Sequence, residues 1–143
     1  AGEKNIAKAI EWFKKGAEQG YVLGMERLGC MHLFGEDVEA DYAEAILWFH
    51  QATEQGSRVG DYYIGEMLRR GLGVECNSGK ASGWILSSAE KEYAPAQYRL
   101  GRMYAEGEGL EVNLEEANRW MQSAAEQGNE DAKSWLTEHQ VAS

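Results

Sequence analysis

Residues 77–112 read NSGKASGWILSSAEKEYAPAQYRLGRMYAEGEGLEV, and the pattern of this stretch recurs along the whole chain with a step of 36 residues. No insertion disturbs the step between copies. A fixed period of this length is typical of proteins in which one supersecondary unit stacks on its neighbours. The positions that keep the step include Trp12, Trp48, Trp84 and Trp120; Ala9, Ala45, Ala81 and Ala117; Gly35, Gly71 and Gly107; and Leu28, Ile64, Leu100 and Leu136.

Each copy of the period predicts two α-helices. An Asx residue opens the first helix, and its side chain can accept hydrogen bonds from the free N–H groups of the first turn. Apolar and small residues follow at helical spacing, and Gly20, Gly56 and Gly128 predict a left-handed residue that ends this helix. Glu92 stands at that position in the third copy, where Pro95 instead predicts the start of the next helix. The predicted caps are Asn5, Asp41, Asn77 and Asn113.

The second helix of each copy is predicted to bury the face that carries Leu28, Ile64 or Leu100. A glycine directly follows each of these residues. Glycine inside a helix costs about 1 kcal/mol relative to alanine, so its recurrence in register predicts a close approach between helix backbones. The three glycines are Gly29, Gly65 and Gly101.

The composition restricts the classes of partner. The formal net charge is -10 and the pI is about 4.8, whereas binding to phosphates or to anionic lipid needs clustered Lys and Arg. We therefore predict no nucleic-acid partner, and the lack of a run of about 18 apolar residues predicts no membrane insertion.

Cys30 and Cys76 stand at non-equivalent repeat positions and predict no disulfide, which suits the cytoplasm or the periplasm.

The residues that keep the 36-residue step form a pattern that closely resembles the Sel1-like repeat, a relative of the tetratricopeptide repeat. The resemblance extends over residues 5 to about 136. The resemblance has departures: His32 and Leu68 replace the usual tyrosine. Asp37 replaces the second loop glycine and Thr137 replaces the last helix glycine. The motif is carried by Leu100, Gly101, Tyr104, Gly107, Gly109, Leu110, Asn113, Ala117, Trp120, Ala124, Ala125 and Gly128.

This resemblance implies an all-α fold, an α-solenoid of about eight antiparallel helices curving into a right-handed superhelix. We expect a single repeat domain over residues 1–143, with copies at 5–40, 41–76 and 77–112 and a partial copy at 113–143. In the usual phase of the family, the chain starts with the second helix of one repeat and finishes with the first helix of another. We therefore expect the array to be part of a longer one.

Residues that could carry catalysis are few and scattered. Cys30 and His32 lie two positions apart on a predicted helix, so their side chains diverge and form no nucleophile–base pair. No short spacing of Cys and His fits a zinc or iron site, and no phosphate-binding G-x-x-x-x-G-K-[ST] is present. The tryptophan series is predicted to pack between repeats. We predict no enzymatic activity, no metal and no cofactor.

The side of the second helices opposite Leu28 and its equivalents has an unusual composition. It gathers five of the 14 basic residues, all of them arginine, together with five large aromatic residues. Arg, Tyr and Trp are enriched at binding hot spots, and in helical-repeat relatives the equivalent helices line a concave groove. The alternative is that some of these residues pack against the next repeat. We call the set the second-helix surface: Arg27, Phe34, Tyr62, Tyr63, Arg69, Arg70, Tyr98, Arg99, Arg102 and Trp135.

These features predict a non-catalytic scaffold or adaptor that holds a peptide or protein partner in its groove. Arginine can bind a carboxylate with two hydrogen bonds, so the arginines predict a partner with acidic groups. Bacterial relatives often work in the cell envelope, and this resemblance implies an alternative, the recognition of cell-wall or exopolysaccharide fragments by Tyr62, Tyr63 and Trp135. A further alternative is a structural spacer in a larger protein.

Overall fold

The computed structural model describes residues 2–36 and 38–139, with side chains from Asn5 onward. Asp37, which replaces the second loop glycine of the repeat, lies outside the described residues. Within them the chain forms eight α-helices and no strand, which confirms the predicted all-α fold, and none of these helices is long and apolar enough to cross a membrane. The helices are α1 (Gly2–Glu18), α2 (Val22–Phe34), α3 (Tyr42–Glu54), α4 (Arg58–Arg70), α5 (Ser78–Glu90), α6 (Ala94–Glu106), α7 (Leu114–Glu126) and α8 (Glu130–Glu138).

The chain divides into two compact units, residues 1–64 and residues 65–143, and the division falls within α4. Each unit has a core of small and medium apolar side chains in contact with larger, partly buried ones. In the first unit the core cluster is Ala17, Met25, Leu28 and Ala52, with Ile10, Phe13, Val22 and Trp48 packed against it. In the second unit one core cluster is Met121, Ala124 and Ala132, with Tyr98, Ala125, Trp135 and Leu136 packed against it.

Side-chain caps start the first helix of three copies. Asp41, Asn77 and Asn113 each accept a hydrogen bond from the backbone N–H three residues on, at 3.1, 2.9 and 3.1 Å. These three predicted caps are confirmed. The prediction for Asn5 is wrong, because α1 begins at Gly2 and already includes it. Glu and Lys are good helix formers, and both precede Asn5 in the sequence, so the helix extends beyond the Asx residue.

Replacing Asn113 by alanine is expected to lower the free energy of unfolding by about 1 kcal/mol, the usual cost of losing a side-chain cap. The N–H of Glu116 would lose its 3.1 Å acceptor. Urea denaturation followed by circular dichroism measures the change. Asn118→Ala is the matched control, since Asn118 is exposed within α7 and caps nothing. An equal loss in both variants would contradict the assignment.

Left-handed residues follow the first helix of each copy. Gly20, Gly56 and Gly128 have φ angles of 87°, 85° and 94°, which confirms the prediction. Glu92 at the equivalent position of the third copy has φ 63° although it carries a side chain. The turn therefore imposes its conformation at a cost of about 1–2 kcal/mol. The next helix, α6, has Pro95 in its first turn as predicted.

The helix glycines lie against the first helix of the following copy. A Cβ atom built on Gly29 would lie 2.5 Å from the ring of Phe49, and one built on Gly65 would lie 2.5 Å from Cδ1 of Ile85. Phe49 and Ile85 are fully buried. These distances are shorter than two carbon atoms allow, so the glycines make room for side chains of the next helix. A backbone carbonyl oxygen of that helix would also lie 3.2 Å from a Cβ added at Gly65 or Gly101, so the predicted close approach of the backbones is confirmed at these two glycines.

The tryptophan series is not uniformly packed. Trp48, Trp84 and Trp120 are partly buried, and Trp48 packs on the core cluster that α1 and α2 largely supply. Trp12 is 75% exposed, so the prediction of packing between repeats is wrong for this residue.

Candidate partner-binding surface

The second-helix surface is carried by α2, α4, α6 and α8. Its residues lie there because Leu28, Ile64 and Leu100 occupy the opposite side of these helices and are almost completely buried. Arg27, Phe34 and Arg70 are exposed, and the other seven members are partly buried. The surface therefore combines open side chains with others that are held by neighbours.

Three members of the surface form one aromatic cluster in the first unit. Tyr63 stacks on the buried ring of Phe49, with ring centroids 5.0 Å apart and planes at 21°. Phe34 and Tyr62 meet Tyr63 edge-on, at 5.7 and 5.0 Å. Phe34 is 53% exposed. The cluster thus presents an open aromatic ring on a base that the core fixes in place.

Arg27 lies beside a cavity of about 360 Å³ between α1 and α2, which Phe13, Cys30 and Met31 also line. Burial raises the pKa of the Cys30 thiol to about 11, although a hydrogen bond with Tyr63 acts to lower it. Cys30 is therefore a protonated thiol at neutral pH and is not activated as a nucleophile.

An ion-pair network holds two arginines of the surface in the second unit. Arg69 lies 3.1 Å from Glu66 and 3.6 Å from Glu108. Nε of Arg99 lies 3.0 Å from the carboxylate of the same Glu66, as an ion pair without hydrogen-bond geometry. Glu66 is 8% exposed, and a buried carboxylate is costly unless it is paired. The two arginines therefore neutralise two carboxylates of the protein itself.

Arg102 is held by residues one helical turn away on either side. Its Nε donates to Glu106 at 2.8 Å, and a terminal nitrogen donates to the Tyr98 hydroxyl at 2.9 Å. The hydrogen bond with Tyr98, and then that with Glu106, raises the pKa of Arg102 above its ordinary value. The spacing of four residues places all three on one side of α6. Arg102 is thus oriented, and its charge is largely balanced.

The arginines of the surface consequently fall into two groups. Arg27 and Arg70 are exposed and form no ion pair among the described residues. The other three, Arg69, Arg99 and Arg102, are paired with carboxylates of the second unit. Sequence reasoning did not identify Glu66, Glu106 or Glu108 as their partners.

Tyr98, Arg102 and Trp135 converge on one cavity of about 460 Å³ in the second unit. Trp135 stacks on His139, with ring centroids 4.2 Å apart and planes at 11°. Asp131, Ser134 and Glu138 line the same cavity, and none of them belongs to the set that the sequence predicted. Among the described residues, no group of three or more His, Cys, Asp or Glu is placed to hold a metal ion.

The family model of the Sel1 repeat matches residues 2–21, 22–57, 59–93 and 94–129. This phase places the leucine–glycine helix first in each full copy. A comparison with curated protein sequences gave no match.

Solved structures with repeats of this type are similar to the chain. The protective antigen c5321 of uropathogenic Escherichia coli, which displays an SLR fold, is 33% identical over 88% of this chain, with a TM-score of 0.82. A Sel1 repeat protein from Oxalobacter formigenes is 27% identical over 92%, with a TM-score of 0.83. The chain covers only 27% and 54% of these two structures. Helicobacter pylori cysteine rich protein B is 20% identical and shares the fold, over 95% of this chain and 98% of its own, with a TM-score of 0.75.

Proposed function

We propose, from the premise that the chain belongs to the Sel1 repeat family, that it is a scaffold without catalytic activity which binds a protein or peptide partner through the second-helix surface. Proteins of this family generally mediate protein–protein interactions and are typically non-catalytic adaptors. The observation that carries the proposal is the aromatic cluster of Phe34, Tyr62 and Tyr63, in which the open ring of Phe34 meets Tyr63 and Tyr63 stacks on buried Phe49.

The cluster has the properties of a binding hot spot. Aromatic side chains bury large areas and dominate interface energies. Because Tyr63 is fixed by stacking on Phe49, a partner that covers Phe34 and Tyr62 orders few additional rotamers, and this lowers the entropic cost of association. An exposed phenylalanine on this base therefore supports a contact with an apolar side chain of the partner.

Charge recognition has a smaller part in the proposal. Arg27 and Arg70 supply the contacts to carboxylates of an acidic partner, because they are exposed and unpaired among the described residues. The paired arginines Arg69, Arg99 and Arg102 stabilise the surface itself. Such binding should weaken only modestly with added salt, since few exposed charges take part.

A Phe34→Ala, Tyr62→Ala double variant is expected to weaken partner binding at least about tenfold, or about 1.4 kcal/mol. Affinity capture from the source cells with immobilised wild-type chain, quantified by mass spectrometry, identifies the partner, and calorimetry with the purified partner gives the affinity. Trp12→Ala is the matched control, because it removes an aromatic side chain that is 75% exposed but lies outside the surface.

An Arg27→Ala, Arg70→Ala variant separates charge from aromatic contact in the same measurement. A loss in this variant that disappears at high salt supports the acidic-partner part of the proposal. Undiminished binding by the aromatic and the arginine variants together would exclude the second-helix surface as the binding site.

A further inference from the structure

Arg99 has its charge balanced within the second unit, but its hydrogen-bond donors are not used there. Its side chain on α6 is only 21% exposed, and its Nε lies 3.0 Å from the carboxylate of Glu66. This nitrogen is buried and makes no hydrogen bond. A guanidinium group has five N–H donors, and none of those of Arg99 has an acceptor among the described residues.

Glu66 leaves Arg99 without a hydrogen bond because its carboxylate is directed towards Arg69. Nε and Nη2 of Arg69 donate to the two oxygens of Glu66 at 3.2 and 3.1 Å, the two-bond geometry that an arginine and a carboxylate prefer. Nε of Arg99 approaches the oxygen that Nε of Arg69 already uses. Two guanidinium groups thus share one buried carboxylate, and only one of them forms hydrogen bonds with it.

The guanidinium group of Arg99 is held with its inner end in the protein and its outer end accessible. Among its nitrogens only Nε is both buried and without a hydrogen-bond partner, so the two terminal nitrogens can be reached from outside. The ring of Tyr98 lies 6.0 Å from Cζ of Arg99, and the Tyr98 hydroxyl accepts a hydrogen bond from Arg102 at 2.9 Å. A side chain held in this way has little rotamer freedom left to lose when a partner binds.

We propose that the outer end of Arg99 binds a side-chain carboxylate of the partner protein. The two carboxylate oxygens each accept a hydrogen bond from one terminal nitrogen, because a planar carboxylate matches the guanidinium fork. The residue next to this carboxylate contacts the ring of Tyr98. Arg69 and Arg99 already balance two carboxylates of the protein, so the site recognises its ligand by hydrogen bonds and has no surplus charge for a dianionic phosphate.

The inference deepens the proposed function and rests on it in one respect, namely that the second-helix surface binds protein. It adds to Arg27 and Arg70 a contact of a different kind. Those two side chains are exposed, and water competes for their donors. Arg99 is largely removed from water, where hydrogen bonds to a charged group are stronger. We therefore expect Arg99 to contribute more to the binding of one carboxylate than either exposed arginine.

Two short peptides test the proposal on the full chain. Acetyl-Gly-Glu-Leu-Gly amide and acetyl-Gly-Gln-Leu-Gly amide have nearly the same shape and differ in charge. Each is titrated into the isotope-labelled protein while the Nε–H signal of Arg99 and the backbone N–H signal of Tyr98 are followed by NMR. We expect the glutamate peptide to shift both signals to saturation and the glutamine peptide to leave them unmoved.

Replacing Arg99 by glutamine is expected to raise the Kd of the glutamate peptide at least about tenfold, equivalent to about 1.4 kcal/mol, with the Tyr98 signal as the reporter. Arg99→Lys should also weaken binding, because an ammonium group keeps the charge but does not offer two parallel donors. In both variants Arg69 retains its two hydrogen bonds to Glu66, so the buried carboxylate stays paired. Circular dichroism before the titration checks that each variant is folded.

Arg119→Gln is the matched control. It removes the same charge from an arginine that is also paired with a glutamate, at 3.1 Å, but lies on α7 outside the second-helix surface. Its Kd should stay within about twofold of the wild-type value, because exposed charges at a distance are screened. An unmoved signal with the glutamate peptide, an equal response to both peptides, an equal loss in the control or wild-type affinity in Arg99→Lys overturns the proposal.

Inorganic phosphate provides the last arm of the test. Saturation by phosphate at a lower concentration than by the glutamate peptide overturns the proposal, since the site would then take a phosphate group. The Phe34→Ala, Tyr62→Ala experiment fails or succeeds separately, because it measures the purified partner on the first unit. If that variant loses partner binding while the Arg99 tests are negative, the proposed function stands without a carboxylate at Arg99.

Discussion

Replacing Phe49 by alanine is expected to lower the free energy of unfolding by about 3–5 kcal/mol, the usual range for removing a buried phenylalanine. Phe49 is fully buried, and its ring fills the space beside Gly29, where even one added carbon would lie 2.5 Å away. The ring also supports Tyr63 by stacking at 5.0 Å. Guanidinium chloride denaturation followed by circular dichroism measures the loss.

Phe34→Ala is the control for this prediction, because Phe34 touches the same Tyr63 ring from the solvent side and is 53% exposed. We expect its free energy of unfolding to change by less than about 1 kcal/mol. The two variants thus separate the base of the aromatic cluster from its open ring. Equal losses would show that Phe34 is part of the core and would remove the physical basis for a hot spot there.

The repeat period is why the position of Phe49 could be predicted from the sequence. Phe49, Ile85 and Met121 stand in phase, and residues in phase share one environment, so each of them is fully buried. The same reasoning gave the caps at Asp41, Asn77 and Asn113. The prediction of burial from repeat phase fails at Trp12. This residue is 75% exposed, whereas Trp48, Trp84 and Trp120 in the same phase are partly buried.

The charges of the second-helix surface could be predicted much less well. Glu66 and Arg99 are 33 positions apart and come within 3.0 Å only because α4 and α6 meet in the second unit. No local spacing indicates that pair, although the three-residue spacing of Glu66 and Arg69 is a recognisable helical signal. Helical angles identified which side chains share a side, but they do not specify which carboxylate balances which arginine.

Replacing Gly65 by valine is expected to lower the free energy of unfolding by about 3 kcal/mol, at the upper end of the cost of overpacking. A Cβ at this position would lie 2.5 Å from Cδ1 of Ile85 and 3.2 Å from the carbonyl oxygen of Ala81. Ile85 is fully buried, so its side chain has no free space into which it can move. The added side chain can therefore be accommodated only if α4 and α5 move apart, and this movement exposes apolar surface of both helices.

Gly83→Val is the matched control, because it makes the same substitution inside α5 at a glycine with no atom within 4 Å of an added Cβ. Valine forms helix slightly better than glycine, so this variant should gain a few tenths of a kcal/mol. Opposite signs for the two substitutions would attribute the loss at Gly65 to contact between helices and not to helix propensity. A Gly65→Val variant as stable as the wild type would contradict the prediction, because helices of this repeat would then tolerate a branched residue at their contact.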